Sequence, residues 1–299
     1  MSKFEEKGYN PEKGSEVNKE KERERIIPII NIVRHGQTDY KELKNPDFKF
    51  DPEDPDFKLD PECLDLNQTG IKEIEQVGDK LANEIDKDKE VVIIITSPNY
   101  RAHSSALVLE ERLKERGITI LDSRAKLHPG KTIRKADNLQ QIKYRKDIDK
   151  NIWIKKHQAF IEEKLEEFKD KSPDEVHPKV AKELGGELKD WFDEDYGDIK
   201  HRFQTFLRHM NNIDYYLTDE TKQNLKDKKI RIINITHEEL PAKFIKESLG
   251  SKSTLKKGQI MEIQSQNTAD LGEEVEANVK LYSKEKEEIE KENNIKIYF

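Results

Sequence analysis

Residues 26–38 read IIPIINIVRHGQT, and their reading decides the fold. From Ile26 to Val33 the chain is almost wholly apolar, with charged residues before the run and Arg34-His35-Gly36 after it. A short apolar run closed off in this way reads as a strand buried on both faces. Polar residues directly after such a strand lie at the carboxyl edge of a parallel sheet, where open α/β folds hold their ligands. His35 therefore stands at a position where a side chain can act.

Other runs of the same kind follow. VVIIIT at 91–96 ends in Ser97-Pro98, IRIINIT at 230–236 ends in His237, and ITIL at 118–121 is a fourth, shorter strand candidate. Helical patterns separate them. From Thr69 to Ile85, apolar residues at 71, 74, 77 and 81 form one stripe, with Asn67 or Thr69 as the cap. The pattern from Ala102 to Arg116 stops at Gly117, and that from Leu240 to Leu249 stops at Gly250, as left-handed C-caps require. Strands alternating with helices predict an α/β fold, a three-layer sandwich with a mostly parallel sheet.

Other segments break the rhythm. Residues 46–63 hold a tandem repeat, PDFKFDPED then PDFKLDPEC, inside an insertion at 41–63. Its prolines exclude a regular helix or a central strand, so an extended acidic surface loop is expected. The stretch from about 131 to 186 reads as a largely helical cap insertion, with a helix from Trp153 to Phe168. Residues 1–25 are charged and nearly free of apolar side chains, which predicts a disordered segment. The domain proper is expected over 26–270. Residues 271–299 form a charged extension with a helical centre, and Ile295 to Phe299 add a strand at its end.

Composition narrows the partners. Charged residues make up 39% of the 299 and apolar residues 33%, so the core is confined to the few runs above. A net charge of −7 argues against a nucleic-acid backbone as partner, while a small anion needs only local positive charge. The single cysteine, Cys63, excludes an internal disulfide and a Cys-rich metal site. No apolar window approaches the length of a membrane span, and residues 1–25 carry no secretory signal pattern. A cytoplasmic location without a membrane partner is expected.

The residue types at the strand ends suit phosphoryl transfer. A guanidinium beside an imidazole, as in Arg34-His35, lets the Arg fork onto phosphoryl oxygens while the ring nitrogen attacks phosphorus. Gly36 removes side-chain bulk where a phosphoryl group approaches the backbone. Arg101 opens the helix after the second strand, where the first N–H groups also favour an anion. Of eight histidines, His35 and His237 both fall directly at strand ends.

These pieces resemble the histidine phosphatase superfamily, the phosphoglycerate mutase-like family. The resemblance rests on Arg34-His35-Gly36-Gln37-Thr38, Leu66-Asn67-Gln68-Thr69-Gly70, Ser97-Pro98 with Arg101-Ala102 and Ser105-Ala106, and Thr236-His237, in the family's order. Gly185-Gly186-Glu187 and the helix through Arg202 to Leu207 are similar to the family's helix before the last core strand, so the likeness covers roughly residues 26–265. It implies a phosphoglycerate mutase-like fold and a phosphatase for a small phosphorylated metabolite, with no metal or other cofactor. It further implies His35 as nucleophile, Arg34, Arg101 and His237 around the phosphoryl oxygens, and Gly36, Gln37 and Thr38 near phosphate or substrate.

One element of the family pattern is missing. Many members carry a Glu after the fourth strand, whereas here the segment from Leu121 to Gly130 holds none. Another branch has an acidic residue after the second His, and Glu238 matches that place as general acid, with Asp122 and His128 as alternatives. The stretch Leu127-His128-Pro129-Gly130 is also similar to small phosphohistidine phosphatases, whose labile P–N bond needs less help from an acid. A phosphohistidine or phosphoprotein phosphatase, or a non-catalytic phosphate-binding module, are therefore the alternative functions. Hydrolysis is expected ahead of mutase activity, since the mutases' Glu and the segment after it are absent.

Overall fold

A computed structural model describes residues 25–122, 131–168, 171–225, 227–250, 254–268, 272–284 and 288–298. The run at 26–33 gives a strand, β1 (Ile29–Arg34), buried in all residues but the last. The chain continues through α1 (Lys41–Lys44), α2 (Gln68–Glu84), β2 (Glu90–Thr96), α3 (Tyr100–Glu115) and β3 (Ile133–Lys135). Five helices follow, α4 (Lys150–Glu163), α5 (Leu165–Phe168), α6 (Pro173–Glu183), α7 (Tyr196–Asn211) and α8 (Asp219–Leu225). The last elements are β4 (Lys229–Thr236), α9 (Glu239–Leu249), β5 (Ile260–Ser265), β6 (Glu274–Tyr282) and β7 (Ile289–Tyr298). The N-terminal segment expected to be disordered, but for Arg25, lies outside the described residues, as does His128.

All seven strands form one sheet in the order β3-β2-β4-β1-β5-β6-β7. The first four are mutually parallel, and β5, β6 and β7 add to them antiparallel. Alternation along the central strands sends Ile30, Ile32, Val91, Ile93, Ile230 and Ile232 into one core. Val33, Val92, Ile94, Ile233 and Ile235 enter the other, beneath α2 and α3. Helices thus cover both faces of the sheet, which is the three-layer α/β sandwich expected from the sequence. No helix among the described residues is long and apolar enough to cross a membrane.

Register decides where the chemistry sits. Arg34 of β1 pairs with Thr236 of β4, and Thr96 of β2 pairs with Ile235. Three parallel strands therefore end side by side and release His35, Ser97 and His237 at the same edge.

Three expectations are corrected. ITIL at 118–121 is not a regular strand, because among the described residues its backbone bonds to the sheet are with Val92 alone, through Thr119 O and Leu121 N, while Ile118 N turns back to Leu113 O. Two residues further along, that edge of β2 pairs with β3 instead, from within the stretch assigned to the cap. The helical centre expected in the C-terminal extension is a β-hairpin. Val275, Ala277, Val279 and Leu281 are buried while Glu274 and Glu276 are exposed, a period of two that the density of charge obscured. The helix expected from Trp153 to Phe168 is split, with a break at Lys164 between α4 and α5.

Helices α4, α6 and α7 close over aromatic side chains that continue the first core. Trp153 meets Phe192 edge-on at 4.7 Å between ring centroids, and Tyr196 shares a 2.8 Å hydrogen bond with Nδ1 of the buried His177. The acidic repeat is a loop, as expected, but its aromatics turn inward. Phe50 stacks against Tyr100 at 4.9 Å and meets Phe57, from the second copy, at 5.8 Å. The loop is thereby fastened to the start of α3.

At the far end of the central strands a charged group is buried. Arg231 of β4 bonds Glu90 of β2 at 2.9 Å, and Glu262 of β5 and Asn31 of β1 at 3.0 Å each. All four side chains are within 10% of full burial.

Candidate active site

His35 follows β1 and is 4% exposed. Its backbone N–H donates to Thr236 O at 3.1 Å, which extends the β1–β4 ladder by one step. Its ring Nδ1 lies 2.8 Å from Gly36 O. A carbonyl only accepts, so Nδ1 carries the proton and Nε2 keeps its lone pair. Burial pushes the imidazole well below its ordinary range, and Arg101 and Arg34 add to the effect. His35 is a neutral ring with a defined tautomer, which is the form a nucleophile needs.

Gly36 is also required by packing. A Cβ there would stand 2.4 Å from Gly70 O, and one on Gly70 would stand 2.0 Å from Gln37 O. The two glycines let the start of α2 press directly on the loop after β1, and Asn67 caps that helix by accepting from Gly70 N at 3.0 Å. The loop is tied down further on. Gln37 N donates to Glu73 at 2.8 Å, and Thr38 Oγ1 donates to Asp65 at 3.1 Å. Thr38 thus holds the loop's shape, and Gln37 is exposed at its rim.

Arg101 lies in the first turn of α3 and is 3% exposed. Nη2 donates to Gln141, Nη1 is 3.7 Å from Glu42, and the guanidinium sits 5.6 Å from the Tyr40 ring centre. Tyr40 is the one non-glycine among the described residues with a left-handed backbone, at φ 57°. Such a conformation is costly for a bulky residue and is held only by its surroundings.

His237 leaves β4 with its ring centre 5.2 Å from that of His35, edge to face. Ser97 Oγ gives its proton to Asn99 Oδ1 at 2.9 Å, so it accepts from His237 Nε2 at 2.9 Å. His237 Nδ1 has no hydrogen-bond partner among the described residues. Burial, then Arg101, His35 and Arg34, push this imidazole down as well.

Arg34 completes the group. Nη1 donates to Leu255 O at 3.1 Å, and Nη2 pairs with Glu238 at 2.6 Å. Glu238 occupies the N-cap of α9 without capping it, and its second oxygen accepts from Thr254. Burial pushes up the carboxyls of Glu239, beside it in the chain, and of Glu42.

Arg34, His35, Arg101, His237 and Glu238 are therefore gathered in one place. Asp122 is exposed, and its backbone carbonyl is bonded by Arg134 rather than by this group. Sequence reasoning missed Glu42, Gln141 and Glu239, together with the role of the Ser97 hydroxyl. Ser97 had a signal, since it ends β2 as His237 ends β4.

Among the described residues, the buried nitrogens without a hydrogen-bond partner include Arg34 Nε, Arg101 Nε and Nη1, and His237 Nδ1. Buried polar groups are normally satisfied. Unpaired guanidinium donors beside the lone pair of His237 Nδ1, ranged around a neutral imidazole, make a receptor for an anion with several oxygens, one of them protonated.

No family model matches the chain. No curated protein matches it either. Among solved structures the chain is similar to a protein called mycobacterial hydrolase 1, at 14% identity and a TM-score of 0.42, over 80% of this chain and 89% of that one. A mycobacterial glucosyl-3-phosphoglycerate phosphatase is similar at 13% identity and a TM-score of 0.41, over 80% of this chain and 91% of that one. A phosphoglycerate mutase from Plasmodium falciparum is similar at 13% identity and a TM-score of 0.32, over 91% of this chain and 99% of that one. The solved structures to which this chain is similar thus include a phosphatase and a phosphoglycerate mutase.

Proposed function

We propose that this chain is a histidine phosphatase that hydrolyses phosphomonoesters of a small metabolite through a phosphohistidine on His35. The observation that carries the reading is the set of unpaired buried nitrogens on Arg34, Arg101 and His237 around a ring whose Nε2 is free. Phosphoryl oxygens accept from the Arg34 and Arg101 nitrogens, a phosphoryl O–H donates to the lone pair of His237 Nδ1, and His35 Nε2 attacks phosphorus in line with the departing oxygen. The P–O bond to the alcohol breaks, and Nδ1 passes part of the growing positive charge to Gly36 O. Water then attacks the phosphohistidine, releases phosphate and restores the neutral ring. Arg34 and Arg101 stabilise the charge that builds on the phosphoryl oxygens in both steps.

Trapping tests this reading. Wild type quenched in alkali during turnover of p-nitrophenyl phosphate is expected to carry a phosphoryl label that alkali preserves and acid removes. His35→Ala is expected to carry none and to release no p-nitrophenol. Release that survives in His35→Ala rules the phosphohistidine route out.

The leaving alkoxide needs a proton. Glu238, the residue expected from the sequence, has one oxygen engaged by Arg34 and the other by Thr254. Burial favours the neutral acid at Glu239, which makes Glu239 the better proton donor and Glu238 the residue that orients Arg34. Glu239→Gln is then expected to slow alkyl phosphates about 10²-fold or more while sparing p-nitrophenyl phosphate, whose leaving group departs without help. If Glu238→Gln shows that pattern and Glu239→Gln does not, the roles are reversed.

A further inference from the structure

Lys257 belongs to a tight turn, Lys256–Gln259, which Arg34 fastens to the site. Gly258 N donates to Arg34 O at 3.2 Å, Arg34 N to Gln259 O at 3.4 Å, and Arg34 Nη1 to Leu255 O at 3.1 Å. Lys256 N closes the turn on Gln259 Oε1 at 2.9 Å. Just before the turn, Thr254 bonds Glu238, so both ends of this segment are locked to the residues around His35. Lys257 is half-buried, and its charge is felt by His35.

Among the described residues, no ion pair or hydrogen bond engages the Lys257 ammonium. The carboxylates within its electrostatic reach, Glu73 and Glu238, are committed elsewhere. Glu73 accepts from Gln37 N at 2.8 Å and pairs with Lys284 at 2.6 Å. Glu238 is held by Arg34 and Thr254. Burial and the neighbouring Arg34 both disfavour the charged ammonium. A half-buried cation facing other cations is costly unless an anion arrives to offset it. The phosphoryl group already has Arg34, Arg101 and His237.

We propose that Lys257 is a specificity residue that binds a second anionic group of the substrate, so that the preferred phosphomonoesters carry a carboxylate or a second phosphate on the leaving alcohol. The inference rests on the phosphatase reading of the site. Binding is non-covalent: the ammonium donates to the second anion, and the P–O bond breaks at His35 as before.

Matched esters test it in the full-length protein. Wild type is expected to favour 2-phosphoglycolate or ethylene glycol bisphosphate over ethyl phosphate in kcat/KM, and comparison of the first two tells carboxylate from phosphate. Lys257→Met keeps the length of the side chain and removes its charge. It is expected to raise KM for the favoured dianionic-plus-anion ester about tenfold or more, the worth of one hydrogen bond to a charged group. Ethyl phosphate and p-nitrophenyl phosphate should change less than about twofold, a difference well under 1 kcal/mol. Lys257→Arg should retain the preference. Equal losses on all esters, or no loss on any, would overturn the proposal while His35-dependent turnover left the phosphatase reading standing. Absence of His35-dependent turnover on every ester would instead remove the phosphatase reading itself.

Discussion

Arg101→Ala is expected to lower kcat toward p-nitrophenyl phosphate about 10²–10³-fold, or roughly 3–4 kcal/mol of transition-state stabilisation. The side chain is 3% exposed, and two of its nitrogens have no hydrogen-bond partner among the described residues. It is therefore desolvated in advance and held by Gln141, Glu42 and the Tyr40 ring at a fixed angle. A donor positioned in this way costs no reorganisation when charge moves onto the phosphoryl oxygens. Arg101→Lys should recover little, because an ammonium cannot reproduce the planar fork that meets two oxygens at once. Steady-state kinetics separates two versions of the role. A fall in kcat and kcat/KM together marks a contact made in the transition state, and a rise in KM with kcat intact marks one made equally in the ground state. Wild-type activity in a folded Arg101→Ala would exclude Arg101 from the reaction.

The second large effect lies at the other end of the same strands and concerns stability. Arg231→Met is expected to cost about 3–5 kcal/mol, because it leaves Glu90 and Glu262 as buried charges without their shared partner. A shift of the urea midpoint with an unchanged slope would report this. The loss should be repaired by removing the rest of the polar group as well. Replacing Glu90, Glu262 and Asn31 with apolar residues in the Arg231→Met background leaves no orphaned acceptor, and stability should return to near the wild-type value. Lys280, 3.7 Å from Glu262 and 26% exposed, can turn to water in that variant. A single Arg231→Met that unfolds at the wild-type urea concentration would mean that the group contributes nothing net.

Much of the site was legible because it follows directly from strands. Once IIPIINIV, VVIIIT and IRIINIT are read as parallel, the residues after each must meet at one edge, and His35, Ser97 and His237 do. Arg101 was legible for the same reason, since a helix starting just after β2 must open at that edge. Contacts made across long stretches of chain were not. Nothing near Gly36 in the sequence indicates that Gly70 fills the space beside it. Glu42 sits in an insertion that reads as surface, and it is tied to the site by Tyr100 N and Arg101, contacts made across nearly sixty residues of chain. Lys257 lies in a lysine pair with no periodicity, and only the turn fastened to Arg34 distinguishes it from its neighbour. β6 was hidden by composition, because its alternate positions are so heavily charged that the buried row of Val275, Ala277, Val279 and Leu281 was outweighed.

The addition of β5, β6 and β7 also changes how the sheet meets other molecules. Its two edge strands are unequal, with β3 offering three residues and β7 ten. Open backbone groups on a long edge are a template for a strand from another chain. The pressure toward self-association therefore falls on β7, where Glu290, Lys291, Glu292 and Lys296 interrupt any apolar run that a second strand could grip. The charge that concealed this hairpin in the sequence is also what keeps its outer edge from becoming an adhesive.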